Sequence, residues 1–276
     1  MSQPPAPSSH ALSFAGVADA YERARPSYPA EAAAWLAGSS PARVVELGAG
    51  TGKLTAGLLD HGHRVLATDP LEPMLQHLAR AVPGAVPLRA RAEEIPVRSR
   101  WADVVVSAQA YHWFDLDRAL PEIARVLKPG GRIALVWNLR DERIPWVRRL
   151  GRLIGTAEQN TDPTQDLISS HLFGFVESTT FRFWQPLDRE RLRDLVMSRS
   201  NIASMDQAGR DEVLAGADAL YAEYGRGADG MLLPYVTRCF KAVVRAQSDP
   251  DDDQDGPGPA EPPTDDDTDA LLIDFQ

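Results

Sequence analysis

Apolar residues along this chain come in short runs separated by longer amphipathic stretches. ARVVELG (Ala42–Gly48), HRVLATD (His63–Asp69), AVPLRA (Ala85–Ala90), WADVVVSAQA (Trp101–Ala110) and RIALVWN (Arg132–Asn138) have the length and apolar density of buried strands. Between them lie KLTAGLLDHG, stopped by Gly62, then PLEPMLQHLARAV, and later LDRALPEIARVLKPGG with its Pro-Gly-Gly exit. These read as helices. Strands alternating with helices predict an α/β fold: a doubly wound, Rossmann-like, mostly parallel sheet with helices on both faces. After Asn138 the pattern loosens. DERIPWVRRLGRLIG, LDRERLRDLVMSRSNIASM and DQAGRDEVLAGADALYAEYGRG read as helices, and ESTTFRFWQPL as a strand. MLLPYVTRCFKAVV reads as an antiparallel last strand, with Pro234 at its start or on a sheet edge.

Ligands of such sheets bind at the carboxyl ends of the strands. The residues there are unusual. ELGAGTGKLT (Glu46–Thr55) packs Gly48, Gly50 and Gly52 into five positions after the first strand. A phosphate loop, G-x-x-x-x-G-K-[ST], is excluded, because Leu54 stands where the metal-binding hydroxyl belongs and Leu47 where the first glycine belongs. A dinucleotide fingerprint, G-x-G-x-x-G, is met at Gly48 and Gly50 but puts Lys53 at its third glycine. An E-x-G-x-G-x-G loop is met in full and suits a nucleoside ligand without phosphates. Asp69 ends the second strand and can accept ribose hydroxyls or cap the helix that follows. Met74 fits either an adenine border or the core, and Glu93 with Glu94 either a ligand contact or a solvated charge pair.

Gln109 opens AQAYHWFD after the fourth strand. A run of Tyr-His-Trp-Phe there places aromatic faces, which favour a cation, beside a histidine able to take a proton near neutral pH. The same residues also suit packing, with His112 capping a turn.

These segments resemble the class I S-adenosylmethionine-dependent methyltransferases, especially those of type 11. The resemblance is tight over 13–138 and loose over 141–244, and ADAYERARPSYP recurs in a subset similar to trans-aconitate methyltransferase. It implies that Gly48, Ala49, Gly50 and Gly52 line the methionine and ribose of S-adenosylmethionine. Glu46 would sit near the ammonium, Asp69 would hold the ribose, and Gln109 would close the cofactor site. Pro70 and Met74 would border the adenine, with Ala92 and Glu93 near its amino group. Many relatives carry Asp where this chain has Arg91. Catalytic roles are implied for His112, Tyr21 and Arg25, with Arg25 placed to meet an acceptor carboxylate. The expected reaction is in-line methyl transfer to a small-molecule acceptor, on oxygen, carboxylate, nitrogen or carbon, with no metal. The rivals are an NAD(P)-dependent oxidoreductase and a non-catalytic S-adenosylmethionine-binding regulator.

Composition trims these readings. Net charge is −10 over 276 residues. Residues 248–276 hold eleven acids and no base, leaving the rest near neutrality. Nucleic acid is therefore not expected as a partner. No apolar run reaches the roughly 20 residues of a membrane helix. One cysteine, Cys239, and no basic-then-apolar opening predict a cytoplasmic setting. The expected organisation is a disordered 1–12, a methyltransferase domain over 13–247 and a disordered acidic tail over 248–276. Within the domain, a lid spans 13–38 and an acceptor-covering region about 141–230. The apolar end of the tail, Leu271 to Phe275, is a candidate for docking on a partner or on the domain.

Overall fold

The computed structural model of the chain describes residues 25–155, 162–225 and 230–245. Among these, one sheet runs in the order β3-β2-β1-β4-β5-β7-β6. Its strands are β1 (Arg43–Leu47), β2 (Arg64–Asp69), β3 (Val86–Arg89), β4 (Ala102–Ala108), β5 (Leu127–Arg140), β6 (Phe173–Leu187) and β7 (Met231–Val244). β1 to β5 pair in parallel, and β7 runs antiparallel to both β5 and β6. The predicted mixed α/β fold is what the chain adopts.

The apolar runs read as strands because both faces of the sheet are covered. Val44, Val104, Val106 and Val136 pack on one face. Three helices cover that face: α1 (Ala30–Ala37), α2 (Lys53–Asp60) and α3 (Glu72–Ala81). Val45, Val105, Ile133 and Trp137 pack on the other, beneath α4 (Leu116–Val126) and the short α6 (Thr164–Ser169). Each fully buried Val or Leu here contributes about 1.5–3 kcal/mol relative to exposure.

A third cluster belongs to the region after β5. α5 (Pro145–Ile154), α7 (Arg189–Met197), α8 (Ser200–Ala203) and α9 (Gln207–Tyr224) gather Leu150, Leu192, Leu195 and Leu220 against Met231 and Leu233 of β7. This helical cap stands at the carboxyl end of β5. The single helix read over Leu187–Met205 is two, α7 and α8, broken at Ser198, where the helix hydrogen bonds give way to a turn.

Two local expectations are corrected. LKPGG belongs to β5 rather than to the exit of α4: Leu127 pairs with Ala102, and the register shifts before Val104 meets Arg132. Gly130, at φ +77, carries the chain round that bulge. Pro234 lies neither at the start of its strand nor on an edge, since β7 is interior and Pro234 pairs with Trp184. It is tolerated because the β5–β7 ladder has ended at Arg140–Tyr235. Its carbonyl accepts the Asp141 N–H over 2.9 Å, so its nitrogen also faces the side where no donor is required. Tyr21 and the expected disordered ends, 1–12 and 248–276, lie outside the described residues.

Candidate active site

A cleft with about 420 Å³ of open space lies at the carboxyl ends of β1 and β4. Its floor is Glu46 and the loop Gly48–Thr51, with Ala108 and Gln109 on one side and Arg25, Pro26 and Tyr28 across it. The sequence builds this place by ending two buried strands on residues that cannot continue them. Gly48 takes φ +70, and a Cβ on it would stand 2.4 Å from the Cβ of Ala110. The loops after β1 and β4 therefore touch, and only glycine permits it. Gly50, at φ +57, has nothing among the described residues within 4 Å of its missing Cβ, so its bare face opens on the cleft.

Three of the loop's own N–H groups are engaged inside the protein. The Ala49 N–H donates to Thr68 O over 2.9 Å, Gly50 to Asp69 Oδ2 over 3.0 Å, and Gly52 to Ala49 O over 3.0 Å. A phosphate cradle must keep such donors free for its ligand. Asp69 also accepts the Leu71 N–H at Oδ1 over 2.9 Å. Burial holds its carboxyl above the usual carboxylate range, against those two N–H donors.

Glu46 is 1% exposed. It falls on the α2 side of β1, where Thr55 of α2 donates to its Oε2 over 2.6 Å. Burial pushes its carboxyl up to about 8; the Thr55 bond opposes this and the charge of Asp69 adds to it. Beside it, Thr51 Oγ1 and Gln109 Oε1 are buried, line the cleft and have no hydrogen-bond partner among the described residues. Gln109 is held at φ +60, a left-handed conformation unusual outside glycine. Its own N–H donates to Val136 O and its Nε2 to Asn138 O, over 3.0 and 3.2 Å. Asn138 in turn accepts from Thr237 Oγ1 over 2.6 Å and donates to Ser27 O over 3.2 Å. One buried amide thus ties β4, β5, β7 and the N-terminal segment together.

The other predicted residues fall into two groups. Glu46, Gly48, Ala49, Gly50, Gln109 and Arg25 meet at the cleft. Gly52 turns away from it: a Cβ there would meet Leu78 and Val82 at 3.0 Å, so this glycine lets the start of α2 pack on α3. Pro70 is half-buried, while Met74 and Ala92 are buried. Glu93 is no solvated partner of Glu94. Its side chain is 5% exposed, with Oε2 on Arg91 Nε at 3.1 Å and Oε1 accepting the Asp115 N–H over 2.9 Å. It fastens the loop after β3 to the start of α4. His112 is exposed on a 3-10 turn (Tyr111–Trp113), its ring 4.8 Å from that of Trp113. Tyr111 behind it is core, its phenol pushed up by burial and by the charge of Asp166.

Thr51, Thr55 and Asn138 were not singled out from the sequence. The signal was present for Asn138, a polar residue at the carboxyl end of an apolar strand, like Asp69 and Gln109. Nothing in the sequence pairs Thr55 with Glu46.

The cleft fits a nucleoside carrying an amino acid. It offers a buried acid and two buried side-chain oxygens without a partner among the described residues, above a bare glycine, and three of its loop N–H donors are already taken. Residues 45–135 match the family described as a methyltransferase domain. Over 236 residues the chain is 44% identical to an uncharacterized methyltransferase of Mycobacterium tuberculosis, covering 84% of this chain and 96% of that one. This chain belongs to the methyltransferase family. Its methyl donor is S-adenosylmethionine, and the oxidoreductase reading is set aside. The fold is shared with a methyltransferase structure from Anaeromyxobacter dehalogenans, 24% identical with a TM-score of 0.55 over 80% of this chain and 97% of that one. It is shared also with phosphoethanolamine N-methyltransferase 2 of Haemonchus contortus, solved with phosphomonomethylethanolamine and S-adenosylhomocysteine. That chain is 20% identical, with a TM-score of 0.50 over 83% of this methyltransferase and 57% of its own length.

Proposed function

We propose that this methyltransferase acts on a small-molecule acceptor in the cytoplasm and holds its donor in the cleft above Glu46 and Gly50. The observation that carries this is the buried Glu46 carboxyl, set beside two unpartnered polar atoms at a glycine floor. When bound, the donor supplies an electrophilic methyl group on a sulfonium. Glu46 takes the ammonium of the methionine part, and Thr51 and Gln109 complete the polar contacts there. Gly48, Ala49 and Gly50 pass beneath the methionine and ribose, and Gly52 shapes that loop from behind by admitting α3. Asp69 accepts the ribose hydroxyls. Each of its oxygens bonds one N–H and keeps a second lone pair for this. Pro70 and Met74 border the adenine with Ala92, and Glu93 acts there by fixing the neighbouring backbone.

The protein's work is to align the acceptor and exclude water. Arg25 faces the cleft from the N-terminal segment, Tyr21 is assigned a catalytic role with it, and His112 takes a proton where the accepting atom carries one. The cap over 141–230 covers the acceptor. No helix among the described residues is long and apolar enough to cross a membrane. Parallel calorimetric titrations with S-adenosylhomocysteine, NADH and ATP test the reading, using wild type and Asp69→Ala. Micromolar binding of S-adenosylhomocysteine alone, weakened by the substitution, is the expected result. Tight NADH binding would overturn it.

A further inference from the structure

Residues 25–29 form a strap outside any helix or strand, just before α1 begins. Arg25, Pro26 and Tyr28 of this strap line the cleft. Pro26 and Pro29 have no N–H with which to tie it down. A tie comes from the sheet instead: Asn138 Nδ2 of β5 donates to Ser27 O over 3.2 Å. Asn138 is 6% exposed while Ser27 is exposed, so the bond reaches from the buried sheet out to the strap.

The Asn138 amide is oriented from behind. Thr237 of β7 pairs with Asn138 directly across the ladder and is fully buried. Its Oγ1 donates to Asn138 Oδ1 over 2.6 Å. With Oδ1 held there, Nδ2 is left to face Ser27 O, which can only accept. The next pair on the same face, Val136 opposite Cys239, carries no such bond and is buried. Another apolar pair would pack at Asn138 and Thr237 without the desolvation cost of two buried polar groups. The main chain of Asn138 has a second task. Its carbonyl accepts Gln109 Nε2 over 3.2 Å, leaving the buried Gln109 Oε1 at the cleft. One residue thus holds the strap with its side chain and the cleft amide with its backbone.

We propose that Asn138, oriented by Thr237, is a positioning residue of the donor site: a latch that holds the strap over the amino-acid part of S-adenosylmethionine and sets how fast the demethylated product leaves. The proposal rests on the reading of this cleft as the donor site. In that reading the residues lining the cleft with the strap, Glu46, Thr51 and Gln109, meet the methionine part. Thr237 does not line the cleft and acts only through Asn138. Opening the strap leaves a buried amide donor without its acceptor, which slows release.

Surface plasmon resonance on immobilised protein reads the release of S-adenosylhomocysteine and of 5′-methylthioadenosine, which lacks the amino-acid part. Thr237→Val keeps the shape and removes the hydroxyl. It should speed release of S-adenosylhomocysteine by about 10-fold, the size of one lost buried hydrogen bond, and leave 5′-methylthioadenosine as in wild type. Thr237→Ser, which keeps the hydroxyl, should restore the slow release. Equal acceleration of both ligands would mean a merely structural residue and overturns the proposal, as does no acceleration of either, or one confined to 5′-methylthioadenosine. Thr237→Ser behaving like Thr237→Val overturns it too. Should Thr237→Val fail to fold, Asn138→Asp still accepts from Thr237 but cannot donate to Ser27 O; unchanged release of S-adenosylhomocysteine there is equally fatal. Failure of S-adenosylhomocysteine to bind wild type would overturn the donor reading first, and this proposal with it.

Discussion

The Gly50 N–H donates to Asp69 Oδ2 over 3.0 Å, so the glycine loop of β1 is fastened to the acid that ends β2 before any ligand arrives. The acid shapes the loop as well as serving the ribose in the proposed donor site. Asp69→Ala frees two backbone N–H groups, at Gly50 and Leu71. It should destabilise the fold by about 1–3 kcal/mol and weaken S-adenosylhomocysteine by at least about 10-fold. Thermal melts and calorimetry read the two effects separately. Loss of affinity without loss of stability would mean the loop holds its shape unaided.

Two glycines in one loop should respond oppositely. Gly48→Ala drives a Cβ to 2.4 Å from Ala110 at a positive φ, and should destabilise by at least about 2 kcal/mol. Gly50→Ala meets open space, so only its backbone strain is felt, about 1–2 kcal/mol. Its methyl group instead intrudes into the cleft and should abolish donor binding in a folded protein. Gly50→Ala with wild-type affinity would remove the donor from this floor.

Glu46 makes donor binding sensitive to pH. Its carboxyl, pushed up to about 8, is largely neutral in the ligand-free protein at pH 6–7. The facing charged groups are Asp69 of β2, Lys53 at the start of α2, and Arg25 across the cleft. A bound ammonium favours the ionised form, so binding below about pH 8 should release a proton. Affinity should then rise with pH until about 8. Calorimetry in buffers of different ionisation enthalpy measures the proton count, which Glu46→Gln should bring to zero. Stability follows the opposite course. Because the folded pKa is raised, Glu46 stabilises the ligand-free fold fully below its unfolded pKa of about 4.5. That contribution is lost as pH rises through about 8. Melts of Glu46→Gln should be flatter across that window.

His112 separates catalysis from folding. Its ring is exposed on the turn after β4, so His112→Gln should shift stability by no more than about 0.5 kcal/mol. In its proposed role as proton acceptor, its loss should lower kcat by about 100-fold and remove the acid limb of the pH profile. An unchanged kcat would mean that the accepting atom arrives without a proton.

Much of this was legible in the sequence because the carboxyl ends of parallel strands advertise themselves. Apolar runs such as WADVVVSA cannot end on Gln109 without a reason, and Glu46 and Asp69 stand out in the same way. What stayed hidden depends on backbone partners far along the chain. Glu93 reads as one of two surface acids until Asp115, 22 residues on, offers its N–H. Gly52 reads as part of the ligand loop until Leu78 and Val82 arrive behind it. Arg140 reads as one arginine among many, because its burial depends on the end of α5. Pro234 misled for a related reason: where a ladder stops is a property of the neighbouring strand.

The position of β7 between β5 and β6 sets an order of assembly. β1 to β5 are joined through short connections, whereas Arg140 finds Tyr235 about 95 residues later. Closing so long a loop is entropically slow. The β1–β5 half should therefore be organised first, with β6 and β7 docking onto it afterwards. Pulse-labelled hydrogen exchange would show this as early protection of β1 and β4 amides, ahead of those in β6 and β7. On a ribosome the same order would let the glycine loop and its flanking strands form before β6 and β7 have been made.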